Sequence, residues 1–168
     1  MFIEYREGEK HAGPGAAQSE TMDSFRDCGL LLSNDDIVID IDHLPKDSIK
    51  AMLREFGIVT QTVWTDRGAH IWFKKPSWFT KRKDGICRLG FEIEQHNKNS
   101  NPNGMTVKRN GVPRQIDNMG KQVYLPAIFK IDTKNKYAAG IAAHAHDGSK
   151  FDRIQSYVDI IAGISGDG

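Results

Sequence analysis

The chain is short of several things, and each shortage excludes a class of protein. It has two cysteines, Cys28 and Cys87, which lie far apart and form no Cys-x-x-Cys pair. They suit buried or incidental reduced thiols rather than a disulfide framework. No apolar run is long enough to span a bilayer, and Met1-Phe2-Ile3-Glu4-Tyr5-Arg6 lacks a signal-peptide pattern. An intracellular, cytoplasmic protein with no membrane partner is therefore expected. The formal net charge is only +1, so no global basicity announces a nucleic-acid partner, and any electrostatic footprint must be local. There is no internal repeat or low-complexity tract. What remains is ordinary: 168 residues, 39% hydrophobic and 27% charged, enough for one domain with a sizeable core. Residues 1–164 read as that single domain and 165–168 as a linker or chain end.

The most informative stretch is Asp36-Ile37-Val38-Ile39-Asp40-Ile41-Asp42. Its β-branched residues and alternating polarity predict a strand. A side-chain period of two puts Ile37, Ile39 and Ile41 on one face and Val38, Asp40 and Asp42 on the other. Two carboxylates side by side repel each other unless a cation stands between them, and hard oxygen donors suit Mg²⁺ or Mn²⁺. Read alone, the pair fits a solvated strand end equally well.

Around it, the pattern alternates strands with few helices. Phe2–Tyr5 is a short strand, 7–19 a polar loop, and Ser19–Arg26 a helical turn. Gly29–Leu32 reads as a strand joined by the Ser33-Asn34-Asp35 turn to 36–42 as a hairpin. Lys46–Phe56 is an amphipathic helix with Ile49, Met52, Leu53 and Phe56 on one stripe, stopped by Gly57. Thr60–Thr65, the turn Asp66-Arg67-Gly68 and Ala69–Lys74 form a hairpin, with His70, Trp72 and Lys74 on its polar, exposed side. The connector 76–88 carries Lys81, Arg82, Lys83 and Arg88, with Trp78 and Phe79 beside them. Leu89–Glu94 is an alternating strand, with Glu92 and Glu94 opposite Phe91 and Ile93. An Asn-rich loop, His96–Gly104, follows. Met105–Arg109 and Val112–Ile116 flank an Asn110-Gly111 turn, and Pro113 marks an edge arm. Residues 122–131 form a strand or a segment broken at Pro126, 137–145 are of ambiguous type, and 152–164 read as a helix.

Asp40-Ile41-Asp42, then Thr65-Asp66-Arg67-Gly68-Ala69-His70, then Phe91-Glu92-Ile93 stand in an order that resembles a known family. This is the catalytic prim-pol module of the archaeo-eukaryotic primase superfamily, in its phage and plasmid replication-protein form, over roughly 29–116. The resemblance implies an α+β fold with an RRM-like antiparallel or mixed sheet carrying helices on one face. It implies a DNA primase/polymerase that makes primers on a single-stranded DNA template from NTPs or dNTPs, in a phage- or plasmid-bearing bacterial host. Asp40, Asp42 and Glu92, with Glu94 as the fallback, would be catalytic ligands of two Mg²⁺ or Mn²⁺ ions. His70, Arg67, Lys74, Lys108 and Arg109 would bind the nucleotide, and Arg114 is a further basic candidate. The run Asp147-Gly148-Ser149 into 152–164 is similar to a connector leading to a downstream primase C-terminal or helicase domain in a longer chain. No Cys/His zinc-stem pattern accompanies the motifs.

Two other readings compete. His144-Ala145-His146 with Tyr157 would suit a metal-dependent replication-initiator nuclease, although it leaves Asp40, Asp42 and His70 without a role. A non-catalytic RRM-like module for single-stranded nucleic acid would use Trp72, Trp78 and Phe79 as stacking platforms. Acids beside such a surface would repel phosphate unless a metal neutralised them.

Overall fold

The computed structural model describes residues 1–79, 86–88, 92–129, 131–132 and 137–138, of which 86–88, 92, 128, 131–132 and 137–138 are described by backbone alone. In chain order the strands begin with β1 (Phe2–Glu4), β2 (Gln18–Ser19), β3 (Cys28–Leu30) and β4 (Asp36–Asp42). Helix α1 (Lys46–Glu55) leads to β5 (Thr62–Trp64), β6 (Gly68–Lys74), β7 (Ile86–Arg88) and β8 (Glu92–His96). Then come β9 (Met105–Arg109), β10 (Val112–Pro113), β11 (Ile116–Asp117) and β12 (Val123–Tyr124). A ribbon of β13 (Ile131–Asp132) and β14 (Tyr137–Ala138) ends the described chain. The result is an α+β fold dominated by antiparallel sheet, with one α-helix among the described residues.

The larger sheet runs β11-β5-β6-β4-β8-β7, with β12 continuing the edge of β6 beyond β5. Strands β4 and β5 both lie antiparallel to β6, so they are parallel to each other, with α1 as the crossover between them. The helix forms where the spacing predicted. Ile49 and Met52 are buried, Leu53 and Phe56 pack at the margin, and Gly57 takes the left-handed φ of +64° that ends it. Its apolar stripe covers one face of the sheet, meeting Ile37, Ile39, Ile41, Ala69, Ile71 and Phe73.

The opposite face is not open to solvent. A second sheet, β10-β9-β3-β1-β2, packs over it and forms another core from Phe2, Cys28, Met105 and Val107 against Val38, Val63 and Trp72. The described helix covers one face of the larger sheet, but the exposure expected of the polar side is corrected: the described residues stack as helix, sheet, sheet. Alternation reports which residues share a face, and both faces of a central sheet can be covered. Val38 and Trp72, on the polar side of their strands, are 0% and 2% exposed.

The expected hairpin between 29–32 and 36–42 is also corrected, because β3 pairs with β1 and β9. The Ser33–Asp36 turn closes on itself, Ser33 N–H donating to Asp36 Oδ2 at 2.7 Å, and carries the chain from one sheet to the other. The Asn110-Gly111 turn forms as expected, both residues at positive φ (+53° and +78°), and β10 is an edge strand. Its arm ends at Pro113, however. The chain crosses sheets there, and Ile116–Asp117 pairs with β5 instead. Pro126 separates β12 from a 3-10 turn at Ala127–Phe129. The helix expected at 152–164 lies outside the described residues.

Asp27 ties the second sheet together. It is 1% exposed, and its carboxylate accepts from Gly8 N–H at 2.8 Å and Gly111 N–H at 3.3 Å. These bonds, Gly8 first, hold its pKa below the usual carboxylate value. A lowered folded pKa means that the stabilisation is present above the unfolded pKa and lost as pH falls through the folded one. Asp27→Asn is expected to cost about 1–3 kcal/mol at pH 7. In thermal melts the gap to wild type should close as the pH is lowered through that window. A gap that stays constant down to the lowest pH would assign the loss to packing.

Candidate functional site

Three adjacent strands bring the site together by register alone. Asp40 on β4 sits opposite His70 on β6 and Glu94 on β8, and Asp42 sits opposite Gly68 and Glu92. Since β-partners share a face, His70, Asp40 and Glu94 form one row, and Asp42 with Glu92 the next. One pair further along, Val38 opposes His96, which therefore points the same way as Glu94. The strand runs to His96, correcting the boundary that placed this residue in the Asn-rich loop.

Asp40, Asp42, His70 and His96 line a cleft of about 360 Å³ between the two sheets. Its acidic side is Asp40, Asp42 and Asp66, and its basic side Lys10, Arg67, Arg109 and Arg114. The two sides act on each other. The charge of Arg67 works on Asp42, while Arg114 feels Asp66 and Asp40. Asp42 is nevertheless held above the ordinary carboxylate pKa, by burial first and by the charge of Asp40 second. That is the repulsion the strand pattern predicted.

The described donor atoms draw closest around Asp40. One oxygen each of Asp40 and Glu94 and a ring nitrogen of His96 lie within 4.8 Å of one another. His96 Nε2 is 3.4 Å from Asp40 Oδ2 and 3.2 Å from Glu94 Oε2. Burial acts to lower the His96 pKa, but the two carboxylates beside its Nε2 outweigh it and push it up to about 9. Two carboxylates converging with an imidazole are a donor set that a divalent ion fits. Of the two candidate glutamates, Glu94 has its carboxylate in this cluster. Glu92 is placed by backbone only, opposite Asp42.

His70 is not on the exposed face that the hairpin pattern suggested. It is 7% exposed, and burial lowers its pKa to about 4, helped by Arg114, His96 and Lys10 and opposed by Asp40. At neutral pH it is an uncharged imidazole on the cleft wall, 3.6 Å from Asp40 Oδ1. The reason is the second sheet lying over its strand.

Arg67 and Arg109 both line the cleft, and Arg109 Nε is buried with no hydrogen-bond partner among the described residues. Arg114 lines it too and donates to Thr106 O at 3.1 Å. Lys74 and Lys108 are not brought there. Lys74 lies at the far end of β6 over the Tyr124 ring, 5.9 Å from its centroid, and Lys108 Nζ donates to Met22 O at 3.3 Å. Trp72 is buried, and Trp78 and Phe79 pack half-buried against the first core. His144, His146 and Tyr157 lie outside the described residues, as do Lys81, Arg82 and Lys83.

Sequence reasoning passed over His96, Lys10 and His11. Extending the Glu92, Glu94 alternation by one step finds His96. Nothing local marks Lys10 and His11, which reach the cleft because the 7–17 loop folds over it, Arg6 N–H bonding His11 O at 3.0 Å. No helix among the described residues is long and apolar enough to cross a membrane. No family model, curated protein or solved structure matches the chain.

Proposed function

We propose that the chain is a metal-dependent nucleotidyltransferase of the prim-pol kind, a DNA primase/polymerase that joins nucleotides on a single-stranded template. One observation carries the reading: a convergent carboxylate cluster and three arginines line or border a single cleft. Nucleotidyl transfer needs cations held by acids at the reacting phosphate and fixed positive charge on the rest of the triphosphate. The central strands lend support. They lie in the order β5-β6-β4-β8 with α1 crossing from β4 to β5, which is the strand order of an RRM-like half-domain.

Asp40, with Asp42 and a glutamate of β8, would hold Mg²⁺ or Mn²⁺. The bound metal would activate a 3′-hydroxyl and stabilise the leaving pyrophosphate. Arg67, Arg109 and Arg114 grip phosphate oxygens through paired N–H groups. Neutral His70 donates or accepts one hydrogen bond and adds no charge. The second sheet and the 7–17 loop limit access of water to the row, which strengthens each of these interactions.

The test is primer synthesis and extension on single-stranded DNA, with each metal and with NTPs or dNTPs. Incorporation that requires a divalent ion is expected, and none under any combination would overturn the reading. Arg109→Ala is expected to raise the nucleotide KM about tenfold, the loss of one charge-assisted contact. Lys108→Ala, outside the cleft, should leave it within about twofold.

A further inference from the structure

We infer that His96 is a nitrogen ligand of the metal centre and that it makes this centre select Mn²⁺ over Mg²⁺. Its bearing on catalysis rests on the nucleotidyl-transfer reading, whereas metal binding itself does not. His96 stands outside the three motifs that carried the family resemblance, and its place is set by β8 pairing. Its Nε2 lies 3.4 Å from Asp40 Oδ2 and 3.2 Å from Glu94 Oε2. Donors at right angles around an ion about 2.1–2.3 Å away stand about 3 Å apart. The imidazole nitrogen therefore already stands from each carboxylate at about the spacing of neighbouring ligands on one ion, and the three donors lie within 4.8 Å of one another.

A second observation points to the same place. His70, on the other side of Asp40, has a side chain only 9% exposed and lines the cleft. Its Nδ1 has no hydrogen-bond partner among the described residues, and its Nε2 is 3.6 Å from Asp40 Oδ1. Imidazoles thus flank Asp40 on both sides. All-oxygen donor sets serve Mg²⁺, which demands near-ideal octahedral geometry and parts reluctantly with water. An imidazole nitrogen shifts the balance toward first-row transition metals, of which Mn²⁺ is the weakest-binding and the most like Mg²⁺ in its use of carboxylates.

The competing role for His96 is that of a fixed counter-ion, an imidazolium that neutralises Asp40 and Glu94 and is displaced by metal. The two roles predict opposite signs. A ligand removed lowers Mn²⁺ affinity and erases selectivity. A counter-ion removed raises the affinity for every divalent ion and leaves the ratio unchanged.

The experiment uses the whole chain with Mn²⁺ and Mg²⁺ as probes, in calorimetric titrations and in pulsed electron paramagnetic resonance of the Mn²⁺ complex. Wild type is expected to bind Mn²⁺ about tenfold or more tighter than Mg²⁺ and to show nitrogen hyperfine coupling. His96→Gln should lose the coupling and bring the two affinities within about threefold of each other, while His70→Gln keeps the coupling. Wild-type Mn²⁺ without nitrogen coupling overturns the inference whether or not the variants fold. So does a His96→Gln protein that binds both ions more tightly at an unchanged ratio, or the absence of any divalent-ion binding. Nitrogen coupling in a protein that makes no primers supports the ligand and rejects the catalytic reading.

Discussion

Asp40→Asn is expected to remove metal-dependent incorporation, lowering it by more than the 10–100-fold usually lost with an outer-shell partner of a metal site. Asp40 is the middle residue of the row, paired with His70 on one side and Glu94 on the other. Among the described residues it is the one carboxylate within 4 Å of both of these imidazoles, at 3.6 Å from His70 and 3.4 Å from His96. Asparagine preserves the shape and keeps an acceptor but loses the charge. The defect should therefore appear in Mn²⁺ affinity and turnover, with cooperative unfolding retained. Substantial synthesis by this variant would reject Asp40 as a metal ligand and, with it, the central role of the β4 strand. Asp42→Asn is the companion measurement. Its residue shares the face but lies one pair further along, opposite Gly68 and Glu92.

Gly68→Ala is expected to be more damaging than a glycine-to-alanine change in a strand usually is. Gly68 opens β6 directly opposite Asp42, and β4 passes so close that an added Cβ would overlap the Ile41 carbonyl oxygen and stand 3.2 Å from Asp42 Cα. Those neighbours are backbone and cannot rotate away. Relief requires β4 and β6 to part at the end that carries Asp42, where Arg67 also sits. A cost of about 3 kcal/mol is expected, at the upper end for overpacking. For a chain of this length that lowers Tm by about 6–12 °C. Metal binding should weaken in the same variant, because Asp40 and Asp42 move with β4. A melting temperature within about 2 °C of wild type would show that the strands have room to separate. Glycine would then not be required here.

The sequence by itself determined the elements whose cause is local. Alternating β-branched residues made β4 a strand over the stretch predicted, and a three-and-four spacing made α1 a helix. The Asn110-Gly111 pair made a tight turn because both positions need positive φ. The side-chain period of two also determined that Asp40 and Asp42 share a face, and that Glu92 and Glu94 do. Pairing and coverage were decided only in three dimensions. No local signal says that β3 leaves β4 for β1 and β9, since an unpaired edge of adequate length accepts many partners. The covering of the polar face by the second sheet depends on residues distant in the chain, such as Met105 and Val107. That cover is what puts His70, expected on an exposed face, among buried groups with a lowered pKa. Register across β8 brings Glu94 level with Asp40 and carries His96 beside it, while loop closure brings Lys10, and the second sheet Arg109, to the same cleft. Alternation fixes parity, so Glu92 and Glu94 look equivalent in the chain. Only the hydrogen-bonded pairing of two strands sets which of them stands level with Asp40.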